Sequence, residues 1–404
     1  LTESTDTPVE LAEISVPGDR SVKPFELFFD LVFVFAFTQV TQLLASDLSW
    51  NGLGQGVLLI AALWLAWQSY AWLGTAIDLD EGAIRLAMLS VMGGLLVAAL
   101  AVPGAFDDTA VLFAAAYAFV RFFQLVLFLI AARNIDGLLR GVLLLARGAL
   151  VGPTLILIGA ISGWGPLEAW WAGALLLEYG WYLVMDVSGF RLSPHHFSER
   201  HGLIFIIVLG EAVISIGIGA SGLKIDSTVV VPALLGLGII VAMWWTYFDV
   251  NVHAAERHLK SLSGAIQIRL AQRAYTFSHL PMIVGGIFLS LGVKKTLAHT
   301  DEVLATIPAV ALCGGLVLYL IGQMTLRATC GGFVAWPRLV AILALWSLIG
   351  VSQEIEALIL LSAVSLVFAL LVAYETLVER HYRHRIRSDE TAMWSNRVAA
   401  VTEE

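Results

Sequence analysis

Runs of about twenty apolar residues recur along almost the whole of this chain, divided by short turns such as GWGP at 163–166 and GASG at 219–222. A helix of that length crosses the hydrocarbon of a bilayer, where each backbone N–H and C=O needs a partner inside the protein. The runs are too long and too continuously apolar for strands that alternate lipid-facing and interior residues, which leaves helices. Composition agrees, with 59% hydrophobic and 14% charged residues, against roughly 25% charged in soluble domains. The expected fold is an all-α, polytopic transmembrane bundle in contact with membrane lipids. The net charge of −9 comes with no basic footprint, so no nucleic-acid partner is expected.

Twelve spans are expected, near 25–46, 53–77, 84–103, 109–132, 138–162, 167–187, 199–221, 228–252, 268–292, 303–326, 336–353 and 357–378. An even number puts both termini on one side. Positive charge assigns that side to the cytoplasm, because Arg133, Arg191, Arg257, Lys260, Arg327 and Arg338 then fall in interior loops. Arg380, Arg383, Arg385 and Arg387 join them in the tail, whereas Asp107, Asp108, Glu168, Asp226, Glu354 and Glu356 face outside. Lys294 and Lys295 are the exception, offset in part by Asp301 and Glu302. The segment from Glu375 reads as a charged helical extension on the inner leaflet or against another subunit, as in a homo-oligomer.

The two halves of the chain match in three blocks taken in the same order. Phe25 and Leu31–Val34 align with Phe197 and Leu203–Ile206 at an offset of 172 residues, which also sets Gln39 against Glu211. Trp67, Gln68, Ser69 and Tyr70 align with Trp244, Trp245, Thr246 and Tyr247 at 177, and Ile84–Ala87 with Ile268–Ala271 at 184. The last block pairs Arg85 with Arg269, a charged match rather than an apolar one. The expectation is a six-plus-six parallel repeat: a tail at 1–24, repeats at 25–187 and 188–378, and a charged tail at 379–404. Transporters and channels often use such repeats, with the pathway between them.

Two segments carry a family resemblance. KPFELFFDLVFVFAFTQ at 23–39 and FSERHGLIFIIVLGEAV at 197–213 resemble the two signature segments of the bacterial low temperature requirement A family. The resemblance covers essentially all of the spanning region and implies a multi-pass protein of the bacterial plasma membrane. The family is named for growth in the cold, and the resemblance implies no particular biochemical activity. One departure is His201, which stands where an aromatic residue is expected before the glycine.

The ionisable residues inside the spans are the functional candidates, because charge in hydrocarbon is costly and usually faces a bundle interior or a polar path. Glu26 and Asp30, four apart, share a helix face and suit a proton or cation site, or a pair with a basic residue. Glu199 and His201 open the seventh span, and Glu199 equally suits a helix amino terminus. Glu211, twelve residues into that span, lies about 18 Å along it and near midplane. It is either neutral or paired with an arginine, for which Arg121 and Arg147 are deep enough. Arg85, Arg269 and Arg273 are further charge partners, and Glu178 and Asp186 are expected to pair with Arg140 and Arg147.

Asp249 and His253 are four apart and could offer a metal an oxygen and a nitrogen, with His279, His195, His196 or His201 as a further ligand. No tight metal motif and no cofactor motif is present, and Cys313 and Cys330 read as small apolar fillers. The residues leave three readings: a channel or transporter for a small ion or solute, an intramembrane enzyme acting on a lipid or isoprenoid at the cytoplasmic leaflet, and a membrane scaffold.

Overall fold

Fourteen α-helices form from the described residues, which in this computed structural model are 21–378 apart from 134, 136, 333 and 334. Most of the expected tail at 1–24, and all of that at 379–404 with Arg380, Arg383, Arg385 and Arg387, lie outside the described residues. The helices are α1 (Pro24–Ser46), α2 (Trp50–Ala76), α3 (Gly82–Ala101), α4 (Ala110–Ala132), α5 (Leu138–Ser162), α6 (Leu167–Val184) and α7 (Pro194–Ala220). They continue with α8 (Ser227–Phe248), α9 (Asn251–Lys260), α10 (Gly264–Ala271), α11 (Ser278–Ala298), α12 (Thr306–Thr329), α13 (Trp336–Val351) and α14 (Ala357–Val378).

Local sequence sets many of the ends. Pro24 and Pro194 begin α1 and α7, where the missing N–H costs no hydrogen bond. Ser49 and Asp226 accept backbone N–H groups at the starts of α2 and α8. The first N–H groups of α14 find carbonyls in the α11–α12 loop, Ala357 N on Glu302 O at 2.8 Å and Leu358 N on Thr300 O at 3.2 Å.

Ten helical segments among the described residues are long and apolar enough to cross a membrane. Two of the twelve expected spans are not among them: α13 has only 16 residues, and α6 has 18 that include Glu168 and Glu178. Two others are built from more than one helix. The eighth breaks at Asp249–Val250 and restarts as α9, whose Asn251, Val252, Ala255 and Leu259 are buried. The ninth begins as α10 and becomes α11 through a π-helical turn at Gln272–Phe277. Pro281 lies just beyond that turn and offers no N–H to the Phe277 carbonyl four residues back.

The same order of neighbours occurs in both halves. In the first, α1 packs on α2 and α3, α3 on α4, α4 on α5, α5 on α6, and α6 returns to α2. In the second, α7 packs on α8 and α11, α11 on α12, α12 on α13, α13 on α14, and α14 returns to α8. The halves differ in detail, since α2 also packs on α4 whereas α8 packs on α11. Large apolar side chains such as Leu86, Leu176, Leu343 and Leu366 point outward, as a lipid-facing rim requires.

Two apolar clusters fill the interior, one centred on α1–α4 and the other on α8, α11, α12 and α14, with α7 and α11 supplying residues to both. The tightest contact joins α11 to α12. A Cβ on Gly285 would stand 2.3 Å from the Gly315 carbonyl, and one on Gly315 would stand 2.8 Å from that of Gly285. Only residues without side chains let the backbones approach so closely.

Candidate functional site: a buried polar seam between two helices

Glu26 and Asp30 lie on one face of α1, and His196 and Arg200, also four apart, lie on one face of α7. The two faces meet. His196 Nε2 is 2.9 Å from Glu26 Oε2, and Arg200 Nη2 donates to Asp30 Oδ1 at 2.8 Å. Further along, Thr38 of α1 donates to Glu211 of α7. Partner numbers rise together on both helices, so α1 and α7 run parallel, and all five ionisable groups are buried.

The second helix completes the end of the seam nearest the starts of α1 and α7. Trp67 Nε1 donates to Asp30 Oδ1 at 2.9 Å, its ring lies 5.5 Å below the Arg200 guanidinium, and Trp64 stacks on it at 5.1 Å. Gly74 keeps α2 against the Glu26–His196 pair, since a Cβ there would lie 3.1 Å from Glu26 Oε1. Arginine and tryptophan thus share one Asp30 oxygen. Oδ2, and the Nε and Nη1 of Arg200, have no hydrogen-bond partner among the described residues. The ion pair is single-bridged rather than a bidentate fork, and both members keep capacity for another partner.

His201 is enclosed by the rings of Trp64, Trp67, Phe197, Tyr275 and His279. Its Nδ1 faces the Phe197 carbonyl at 2.7 Å and must carry the proton there, because a carbonyl only accepts. In a neutral ring Nε2 is then an acceptor. The Gln68 amide spans Nε2, at 3.0 Å, and Thr276 Oγ1, at 2.7 Å, so bonding to a neutral ring turns the Gln68 NH2 toward His201. Thr276 lies in the π-helical turn, and its carbonyl accepts Trp64 Nε1 at 2.8 Å. That turn, which no periodicity in the sequence announces, ties α2 to α7.

Glu211 has a different environment. It is fully buried and accepts hydroxyl hydrogen bonds from Thr38, at 2.5 Å, and from Ser215 one turn on, at 3.0 Å, with the Thr41 hydroxyl also bonding to it. Among the described residues no arginine pairs with it. Lys294, at the far end of α11, acts on it through its charge without an ion pair among the described residues. This carboxyl and Arg200 are eleven positions apart on α7, roughly 16 Å of helix. There Ile204 and Val208 pack with Phe33 and Phe37 of α1 in one apolar cluster.

The expected arginine partners of Glu211 are placed elsewhere. Arg121 of α4 pairs with Glu178 of α6, and also meets Ser69, the Leu65 carbonyl at 2.9 Å and the Tyr182 hydroxyl at 2.8 Å. Arg147 is exposed, as is Arg140, so Glu178 does not pair with either. Asp186 lies past the end of α6, where hydrogen bonds from Ser188 hold its carboxyl below the usual range, helped by the charges of Arg140 and Arg269. Arg85 pairs with Asp80 at the mouth of α3, at 2.9 Å, and Arg273 is exposed.

Arg338, read as a loop residue, is buried in α13 and bonds Glu375 through Nε at 2.7 Å and Nη2 at 3.0 Å. Glu375 is therefore held in the bundle rather than opening a surface extension. Glu199, half-buried, accepts the Val22 N–H at 2.9 Å. Asp249, His253 and His279 do not converge: among the described residues no three His, Cys, Asp or Glu side chains form a metal cluster, and His279 Nε2 bonds the Tyr247 hydroxyl at 2.7 Å.

Thr38 carried no signal in the sequence, and His196 and Arg200 were not expected to pair with Glu26 and Asp30. One signal was available, since the four-residue spacing of His196 and Arg200 repeats that of Glu26 and Asp30 with opposite charge.

Residues 21–373 match the family model of the bacterial low temperature requirement A protein (LtrA). The uncharacterised protein RA0937 of Rhizobium meliloti (strain 1021) is 31% identical over 316 residues, which cover 75% of this chain and 76% of that protein. No solved structure matches the chain. With a family model spanning the buried seam and nearly every described helix, this multi-pass helical protein belongs to the bacterial low temperature requirement A family.

Proposed function

We propose that this protein is a channel or transporter for a small ion, and that the ion's path follows the α1–α7 seam with Glu211 as its deepest binding group. The observation that carries the reading is the setting of Glu211. A carboxyl buried along a spanning helix, held by the hydroxyls of Thr38, Thr41 and Ser215 and forming no ion pair among the described residues, is short of a paired countercharge that a proton or small cation can supply. At the other end of the seam, the single-bridged Asp30–Arg200 pair has donors and an acceptor to spare. An entering ion can therefore exchange with one partner while the other stays bonded. The Phe33, Phe37, Ile204 and Val208 layer separates the two polar levels and serves as the barrier.

The six-plus-six reading, with both termini cytoplasmic in a bacterial plasma membrane, fits this path. Residues that touch across the seam differ by 170 in two pairs and by 173 in the third. That is close to the repeat offset of 172. Equivalent helices beside a two-fold axis along the membrane normal run parallel and face each other at equivalent positions, which is the pattern α1 and α7 follow. Each half also holds a buried arginine against its second span and a glutamate of its sixth: Arg121 with Ser69 and Glu178, and Arg338 with the Thr246 carbonyl and Glu375.

The direct test is ion and proton movement in proteoliposomes. Vesicles holding the purified protein should relax an imposed proton or cation gradient faster than protein-free vesicles. If every tested gradient decays at the protein-free rate, the transport reading is wrong.

A further inference from the structure

A cavity of about 60 Å3, partly open at its rim, lies beside Gln68 between α2, α4, α5, the α6–α7 connection and the π-helical turn. It has room for about two waters at the roughly 30 Å3 that each occupies in the liquid, and more toward the open rim. Its walls are largely hydrocarbon and aromatic, including Leu65, Trp72, Phe128, Leu145, Phe190 and Ile268. Three carboxamides, Gln68, Gln124 and Gln272, interrupt them, and no charged side chain lines the space.

Two of those amides are committed. Gln68 bridges His201 and Thr276, and Gln272 Nε2 donates to the Tyr182 carbonyl at 2.6 Å. Gln124 is not. It is 1% exposed, and its Oε1 has no hydrogen-bond partner among the described residues. A buried polar atom without a partner in an otherwise satisfied wall marks the place where a ligand group belongs.

The chemistry of that group follows from the wall. A charged head would leave water without a countercharge, since Arg121 and Glu178 behind Ser69 and Tyr182 already neutralise each other. A plain hydrocarbon would leave the Gln124 amide unpaired. A hydroxyl brings one donor and two acceptor positions, so it satisfies a carboxamide in either orientation. The volume admits the hydroxyl and its first few carbons, and the rest of an apolar chain leaves through the open rim. We propose that this cavity binds the hydroxyl end of an uncharged, single-chain membrane amphiphile, with Gln124 as the group that recognises it. The proposal stands apart from the α1–α7 path and uses none of its carboxylates.

The test uses the purified full chain in lipid nanodiscs and a long-chain alcohol carrying a photoreactive diazirine a few carbons from its hydroxyl, with attachment mapped by peptide mass spectrometry. Labelling is expected on cavity residues such as Phe128, Leu145, Met185 and Phe190. Excess 1-dodecanol should reduce it about tenfold, as a competitor occupying nearly all sites does, whereas dodecane and dodecanoate should leave it nearly unchanged. Gln124→Leu, nearly equal in volume, should lower labelling by about fivefold, in line with one lost hydrogen bond. The competition is read on wild-type protein and does not depend on the variant folding. Equal competition by dodecane would mean that the hydroxyl is not read, and labelling confined to residues outside the cavity would mean that water alone fills it. Either result overturns the proposal.

Discussion

Thr38 of α1 donates its hydroxyl to Glu211 of α7, joining two parallel helices at positions 173 apart through a carboxyl with no arginine partner among the described residues. The Val34 carbonyl, 3.0 Å from Thr38 Oγ1, is a second acceptor that competes with Glu211 for the one hydroxyl proton. Thr38→Val keeps the shape and removes the donor. It should slow any flux that uses Glu211 without unfolding the protein, which a flux assay beside a melting curve in detergent can separate. A variant that loses structure and flux together would make Thr38 a packing residue.

The Asp30–Arg200 pair is buried on both sides, so removing one member strands the other. Asp30→Leu or Arg200→Met alone should each cost about 3–5 kcal/mol, while the double replacement should cost less than the sum of the two. Melting temperatures of the four proteins in one detergent measure the coupling. Strictly additive losses would mean that the two side chains do not act as a pair.

Trp67 adds a hydrogen bond to the same carboxylate. Trp67→Phe keeps most of the ring stacked on Trp64 but deletes the N–H, and the expected loss is about 1.5–3 kcal/mol, the range for a hydrogen bond to a charged group. Stability equal to wild type would show that Arg200 alone satisfies Asp30.

The close approach of α11 and α12 depends on two glycines whose neighbours are backbone atoms that cannot swing aside. Gly285→Ala should destabilise the bundle by about 1–3 kcal/mol through forced separation of the helices. Gly93, with open space around it, is the control, and Gly93→Ala should be harmless or mildly stabilising. Equal melting temperatures for the two variants would contradict the packing described.

The length and position of most helices were legible because a bilayer imposes one element length on the sequence. The expected spans 138–162 and 357–378 coincide with α5 and α14, and 25–46 differs from α1 by a single residue. Departures occur where tertiary contacts override hydropathy. The π-helical turn in the ninth span is set by its contacts with Trp64 and Gln68, and the break after Phe248 by the burial of α9.

The candidate site was legible in its membership but not in its pairing. Sequence gives the depth of Arg121 and of Glu211 along their helices, but not the azimuth that decides which neighbour each meets. Arg121 consequently pairs with Glu178 on the adjacent α6, and Glu211 meets the hydroxyl of Thr38. Glu26, Asp30 and Glu211 were picked out because charge is rare in apolar runs, whereas Thr38, neutral and common in such helices, carried no mark.

The central claim is that Glu211 takes up the moving ion. Flux across proteoliposomes holding wild-type or Glu211→Gln protein, followed over a range of pH under one imposed gradient, tests it most directly. The amide keeps the size of the side chain and one accepting oxygen for the Thr38 or Ser215 hydroxyl, with its NH2 donating to the other hydroxyl oxygen, but it cannot exchange a proton. The account predicts that Glu211→Gln loses most of the flux and all of its pH dependence while melting close to wild type. Unchanged rate and pH dependence in a well-folded Glu211→Gln protein would contradict it.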